Sequence, residues 1–237
     1  MISLQGITKR YGRLQVLNGI SGELEGGSVV SLIGPNASGK TTLIKCMLGL
    51  VRPDSGKVLL GGKDIAADAS VRSKLGYMPQ IGKYPENMKV GQVFDLLRQL
   101  RGNAAKVDEE LIESFQLRTQ FEKPFRALSG GTVQKVSACI AFLFDPPVLI
   151  LDEPTAGLDP LASEILKEKI HRSHAAGKLV LITSHILSDL DDITGHILYL
   201  QEGKVRFFKP MAEVMAETGE SRIDKAIARV MRDESNH

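Results

Sequence analysis

Two short stretches of this sequence combine glycines, a lysine, hydroxyls and carboxylates at spacings suited to phosphate chemistry. The first, Gly34-Pro35-Asn36-Ala37-Ser38-Gly39-Lys40-Thr41 followed by Thr42, fits the pattern G-x-x-x-x-G-K-[ST]. Glycine lets such a loop wrap tightly, so that backbone N–H groups converge on phosphate oxygens while the helix that follows aims its positive end at the same anion. Lys40 is then placed for the β and γ phosphates of a nucleoside triphosphate such as ATP, and the Thr41 hydroxyl for a magnesium ion. The second stretch is apolar, Val148-Leu149-Ile150-Leu151, and ends in Asp152-Glu153. A strand there delivers both acids at its carboxyl end, where open α/β sheets bind ligands. Asp152 would hold magnesium, directly or through water, and Glu153 would polarise an attacking water as general base. Taken alone, an apolar strand ending in two acids is as often a solvated strand end, and the phosphate loop upstream is what gives the pair a catalytic meaning.

A third motif narrows the reading. Leu128-Ser129-Gly130-Gly131 lies shortly before the acidic strand, and in isolation it is a plain helix entry. In company with the phosphate loop and the Asp-Glu pair, it makes the chain resemble the ABC ATPase family, whose signature begins LSGG. The resemblance implies that Ser129 and the amides of Gly130 and Gly131 of one subunit contact the γ-phosphate held by the loop of another, with the following helix adding its dipole. Where the family pattern continues with Gln this chain has Thr132, and Lys135 stands where Arg is common. Threonine caps and hydrogen-bonds but reaches less far, which bears on hydrolysis rate and on the affinity of the nucleotide sandwich.

Four smaller elements agree in order with the same family. Tyr11 matches the aromatic that stacks on adenine, and Gln80, in Gly76-Tyr77-Met78-Pro79-Gln80, matches the glutamine that senses magnesium and the membrane partner. Asp159, in Gly157-Leu158-Asp159, matches a cross-subunit contact and is also a helix N-cap. His185, in Thr183-Ser184-His185, matches the histidine that contacts the γ-phosphate; read alone, it is an ordinary cap or surface histidine. The resemblance spans residues 2–208. It implies an ATPase with ATP and magnesium, working as a homodimer at the cytoplasmic face of the inner membrane on multi-span permease subunits. The stretches GPNASGKTTLIKCMLGLVRPDSGKV and GYMPQIGKYPENMKVGQVFDLLRQLRG look like the ATPase subunits of Nos transporters. That family supports copper-site maturation of nitrous oxide reductase in the periplasm, which implies a periplasmic accessory protein as a further partner.

The elements needed to position these residues follow from pattern. Short β-rich runs at 2–8, 16–17, 22–24, 29–33 and 57–60, separated by Gly26-Gly27 and Gly61-Gly62, suggest an antiparallel sheet beside the main core. Strand, loop and helix are expected in that order around the phosphate loop, with an apolar helical stretch at 41–50 before Pro53. Between about 85 and 144 the spacing of Val90, Val93, Phe94, Leu97 and Leu100 is helical. Buried-strand runs at 148–151 and 179–182 flank a helix opened by Asp159 and Pro160. The fold class expected is α/β: a P-loop NTPase core with a mainly parallel sheet, an antiparallel β subdomain and an α-helical signature subdomain. The ATPase domain is expected over 1–210, with the helical part inserted at about 85–144 and a short helical extension over 211–237 that contains an amphipathic helix at 221–231.

Composition excludes several other classes. Among 237 residues, 30 basic and 28 acidic side chains nearly cancel at +2, which offers no bulk attraction to nucleic acid. The soluble ABC ATPases of DNA repair or translation carry a long coiled coil or two ATPase domains, and neither is read here. A P-loop small-molecule kinase would leave Ser129 and His185 without a role. Cys46 and Cys139 are far apart without C-x-x-C spacing, giving no disulfide or zinc framework. The start of the chain reads as a strand and not as a secretory signal, and no apolar run reaches the ~18 residues that span a bilayer. The seven methionines and five histidines are not grouped as copper ligands.

Overall fold

The computed structural model describes residues 1–102, 106–184 and 193–235. Its centre is a six-stranded sheet in the order β10-β9-β3-β8-β7-β6. The strands are β3 (Val29–Ile33), β6 (Leu75–Met78), β7 (Val148–Asp152), β8 (Leu179–Thr183), β9 (His196–Gln201) and β10 (Lys204–Pro210). All neighbours run parallel except β10, which turns back against β9. The middle strands are apolar on both faces because both faces are covered. Val148, Ile150, Leu179 and Leu181 enter one core, and Leu149, Leu151, Val180 and Ile182 enter a second on the opposite side.

The first core is closed by a four-stranded antiparallel sheet in the order β2-β1-β4-β5 and by helix α1 (Lys40–Met47). Here β1 is Ile2–Tyr11, β2 Leu14–Leu24, β4 Ser55–Leu60 and β5 Lys63–Asp64. Three sequence expectations need correction. The run 29–33, grouped with the antiparallel strands on sequence, instead lies between β8 and β9 of the parallel sheet, because all five of its residues are buried. The runs 16–17 and 22–24 belong to a single long strand whose pairing with β1 shifts register along its length. Helix α1 is also shorter than expected, since Gly49 turns the chain at φ 68° before Pro53 is reached.

The second core holds the helical insertion between β6 and β7: α2 (Val90–Arg101), α3 (Glu110–Ser114) and α4 (Gly130–Phe142), with short 3-10 turns between α3 and α4. Val90, Val93 and Phe94 are buried as their spacing predicts, whereas Leu100 is 74% exposed. Asp159 caps α5 (Pro160–Ala175) by accepting the Ala162 N–H at 2.9 Å, with proline in the first turn. A third cluster packs α6 (Met211–Thr218) and α7 (Ile223–Ser235) against Ile33, Ile197 and Tyr199 through Val214, Ile223 and Ile227. Both cysteines are buried and free, and burial pushes the Cys46 thiol up to about 11. Among the described residues no helix is long and apolar enough to cross a membrane.

One charged cluster ties α5 to the helical insertion. The largely buried Lys169 ammonium donates to Asp108 at 2.5 Å and to Glu110 at 2.7 Å, and Arg172 pairs with Glu110 from the solvent side. Lys169→Met should leave Asp108 without its cation while Glu110 keeps Arg172. The expected loss is about 1–3 kcal/mol, moderated by the exposure of the two acids. Urea denaturation of the variant beside the parent chain checks this, and an unchanged midpoint would contradict it.

Candidate active site

The phosphate loop leaves the carboxyl end of β3 and enters α1 directly. Two glycines make its path possible. A Cβ on Gly34 would lie 2.0 Å from the Leu200 carbonyl oxygen, and Gly39 sits at φ 106° with a Cβ position 2.8 Å from the Val16 oxygen. The loop is held from the same side by a Gly203 N–H donating to the Ser38 carbonyl at 3.0 Å, and it closes on itself through Ser38 N–H to Pro35 O at 3.2 Å. Ala37 adopts a left-handed φ of 62°, a strained value for a residue with a Cβ. The N-cap of α1 is Gly39, which has no side chain to satisfy the first-turn amides. Those amides are therefore left to a ligand or water.

Lys40 curls back over the loop, its ammonium donating to the Gly34 and Pro35 carbonyls at 2.6 and 2.9 Å. Burial pushes its pKa down while Asp152 and Glu153 push it up, so the cation and the two acids share one electrostatic neighbourhood. The Ser38 hydroxyl is buried among the loop residues without a hydrogen-bond partner, an arrangement that suits an acceptor arriving with a ligand.

Ser38 and Lys40 line one cleft of about 390 Å³ together with Asn36, Ala37, Gly39, Thr41, Thr42, Gln80, Asp152 and Glu153, whereas Gly34 and Pro35 are not in its lining. The cleft lies at the carboxyl ends of β3, β6, β7 and β8, the position expected for a ligand in an open α/β sheet. β7 delivers Asp152 as its last residue, and β6, paired in register as Met78 to Leu151, brings Gln80 to the same end. Glu153 follows at φ 52°, its N–H donating to the Thr183 carbonyl and hydroxyl at 3.1 Å each. Thr41, Gln80 and Asp152 all line the cleft and carry oxygen donors, a sparse set with a single carboxylate of the kind that would suit magnesium shared with nucleotide phosphates.

Other expected site residues lie elsewhere. Ser129 is the N-cap of α4, accepting the Thr132 N–H at 3.3 Å while its hydroxyl pairs with that of Thr132 at 2.9 Å. Neither Ser129 nor Gly130 nor Gly131 lines the cleft. Asp159 is engaged at 2.7 Å by Lys135 from α4, and that ammonium holds its carboxyl below the usual carboxylate range. Tyr11 is about half exposed at the tip of the β1–β2 hairpin, with the Lys9 ammonium 5.6 Å from its ring, and does not line the cleft; its cross-strand partner Leu14 does, with Val16. His185 lies outside the described residues. Sequence reasoning missed Thr183 and Ser184 as lining residues. The available signal was a pair of hydroxyls at the end of the buried run 179–182, opposite the strand that carries the acids.

The family model for "ABC transporter" matches residues 17–156, from the hairpin to just past the acidic pair. The chain belongs to the ABC transporter family. This cassette is 31% identical to the Nod factor export ATP-binding protein I of Ralstonia nicotianae, over 92% of this chain and 70% of that one. It is 33% identical to a daunorubicin resistance ATP-binding protein of Streptomyces coeruleorubidus, over 94% and 72%. Among solved structures, an ATP-binding subunit of an ABC transporter superimposes with TM-score 0.89 at 26% identity, over 98% of this chain and 99% of that one. The cassette is an ATPase and binds ATP. Lys40→Ala removes the one cation that faces the bound polyphosphate from within the loop, leaving that charge poorly compensated. Affinity for ATP should fall at least about a hundredfold, equivalent to roughly 2.7 kcal/mol. Calorimetric titration checks it, and retained micromolar binding would contradict the assignment.

Proposed function

We propose that two copies of this cassette meet head to tail, each lending Ser129, Gly130 and Gly131 to the phosphate loop of the other, and that ATP-driven closure and hydrolysis-driven opening move a multi-span permease. The observation that carries this reading is the separation within one chain of the signature turn from the cleft lined by Lys40, Asp152 and Glu153. A signature that cannot serve its own loop needs a second copy. Ser129 caps only the Thr132 N–H of α4, and the Gly130 and Gly131 amides before it then face the γ-phosphate of the partner's nucleotide. Residues 11 and 159 join as contacts to the adenine and across the dimer, and His185 as a γ-phosphate contact.

Within each site the roles follow from placement. The loop amides and Lys40 bind and orient the triphosphate. Glu153 takes the proton of the attacking water, and the fixed backbone at its root keeps its carboxylate at the cleft. Thr41, Gln80 and Asp152 would hold magnesium, which when bound neutralises charge developing on the phosphate oxygens. Loss of the γ-phosphate removes the contacts that hold the two copies together.

A groove of about 890 Å³ between β6, α2 and α4 suits the permease end of the machine. Tyr77, Leu97, Ile140 and the exposed Leu100 give it an apolar floor, and the Arg101 guanidinium lies 4.9 Å from the Phe144 ring at its side. An amphipathic helix of a membrane partner fits such a surface. In this reading the cassette sits at the cytoplasmic face of the inner membrane through that partner. The names of its relatives, one exporting Nod factor and one conferring daunorubicin resistance, favour an exporter of small molecules. A narrower reading, service to a Nos-type transporter in copper-site maturation with a periplasmic accessory protein, rests on the likeness of residues 34–58 and 76–102. It assigns copper to the partners, because among the described residues no cluster of His, Cys, Asp or Glu is able to hold a metal ion.

Glu153→Gln should keep ATP binding and slow hydrolysis by about 10²- to 10⁴-fold, trapping the closed dimer. Single-turnover assays and gel filtration with ATP report both, and hydrolysis at the parent rate would remove Glu153 as the base. Shared sites are tested by a forced heterodimer of Ser129→Arg with Lys40→Ala. One of its sites carries both lesions and the other is intact, so activity should persist although each parent homodimer is dead. A heterodimer that assembles, binds ATP at one site and still hydrolyses none would count against independent composite sites.

A further inference from the structure

We infer that Thr183 is a positioning residue for ATP hydrolysis, its single hydroxyl fixing both the carboxylate of Asp152 and the backbone of Glu153. The inference rests on the roles given above to those two acids and adds what holds them in place.

Thr183 ends β8 and stands opposite Asp152 of β7 in the parallel register. It is 3% exposed, yet it lines the cleft. A threonine hydroxyl has one proton to donate and lone pairs to accept with. Its geometry assigns both functions: Oγ1 donates to Oδ1 of Asp152, and the same Oγ1 accepts the Glu153 N–H at 3.1 Å. The Glu153 N–H is shared with the Thr183 carbonyl, also at 3.1 Å. One residue therefore engages the acid proposed to hold the cation and the backbone of the acid proposed to activate water.

The need for such an anchor is visible in the backbone. Glu153 has φ 52°, a left-handed conformation that a residue with a Cβ keeps only where its surroundings over-determine it. Two acceptors from Thr183, supported by the Ala156 N–H donating to the Glu153 carbonyl at 3.1 Å, provide that determination. Asp152 gains rotational restraint in turn, because with Oδ1 engaged its second oxygen is left for the cation. Hydrogen-bond partners one step behind a metal ligand fix its orientation and tune its basicity, and their loss costs about 10- to 100-fold in metal affinity or activity. Valine has the volume of threonine and lacks the hydroxyl, whereas serine keeps the hydroxyl and drops only the methyl.

The test uses the full chain as Thr183→Val and Thr183→Ser, with Glu153→Gln prepared in parallel. ATP binding is measured by calorimetry in EDTA and across a magnesium titration, steady-state kinetics give kcat and KM, and thermal unfolding reports integrity. Thr183→Val should bind ATP in EDTA within about twofold of the parent, need about tenfold more magnesium for half-maximal enhancement of binding, and lose about 10- to 100-fold in kcat. Thr183→Ser should recover both to within about threefold. An unchanged magnesium requirement and kcat in Thr183→Val would overturn the inference, as would a serine variant as impaired as the valine one. If Thr183→Val does not fold, Thr183→Ala against Thr183→Ser makes the same comparison, and equal impairment of the two overturns it. Glu153→Gln separates the layers. Its hydrolysing ATP at the parent rate defeats the underlying assignment, whereas an inactive Glu153→Gln beside a normal Thr183→Val defeats only the role of Thr183.

Discussion

Everything at the cleft depends on how closely the backbone at Gly34 approaches the carbonyl of Leu200. The space for a side chain there is already occupied by β9, so the loop is pressed against the carboxyl end of the sheet. Glycine is required at this point by contact distance. The Gly203–Ser38 hydrogen bond then pins the middle of the loop to the β9–β10 turn, so the sheet sets the loop's position at two places. A loop fixed in this way has lost little remaining freedom when a triphosphate arrives, and the orientation of its donors is established before binding.

Opposing charge is the second constraint. Lys40, Asp152 and Glu153 would be costly side by side in an apolar setting, but the cleft is open and each has a polar anchor. Lys40 rests on two loop carbonyls, Asp152 on the Thr183 hydroxyl and Glu153, through its backbone, on Thr183 again. The alternation of β7 and β8 between two apolar cores makes this possible. With both faces sealed, polar groups of these strands are confined to their ends, and the side chains of the cleft gather at the carboxyl end.

Legibility in the sequence follows the range of the interaction. The phosphate loop, the acid pair and the Asp159 cap are written in neighbouring residues, and the structure places them as the spacing requires. The strand 29–33 was misgrouped because composition marks it as buried without naming its neighbours, and it pairs with residues some 150 positions away. Leu100 falls in helical phase with Val93 and Phe94 yet faces solvent, since the apolar stripe of α2 runs past the core that covers its first turns. For Thr183 the only local hint is a hydroxyl at the end of a buried run, because its contact with Asp152 exists only through the register of β7 with β8. The contact proposed for Ser129 is equally absent from one chain, where the cap it makes with Thr132 is an ordinary helix start, and only the resemblance carried by Leu128 to Gly131 points to it.

The elements that end at the cleft also lead away from it into the helical insertion, and on the proposed function this is the route along which force would travel. Beyond Gln80 the chain passes into α2, whose Leu97 and Leu100 line the groove. Beyond Glu153 the chain reaches Asp159, which caps α5 and is gripped by Lys135 of the signature helix. About three turns further along, Lys169 and Arg172 of α5 hold Asp108 and Glu110 of the same insertion. A shift of the acid-bearing strand end would thus be felt by the insertion through a covalent path at β6 and through four ion pairs along α5. Rigid helices joined by such discrete contacts repack between arrangements and do not bend smoothly, which is the property required of a part that converts a lost phosphate into a movement.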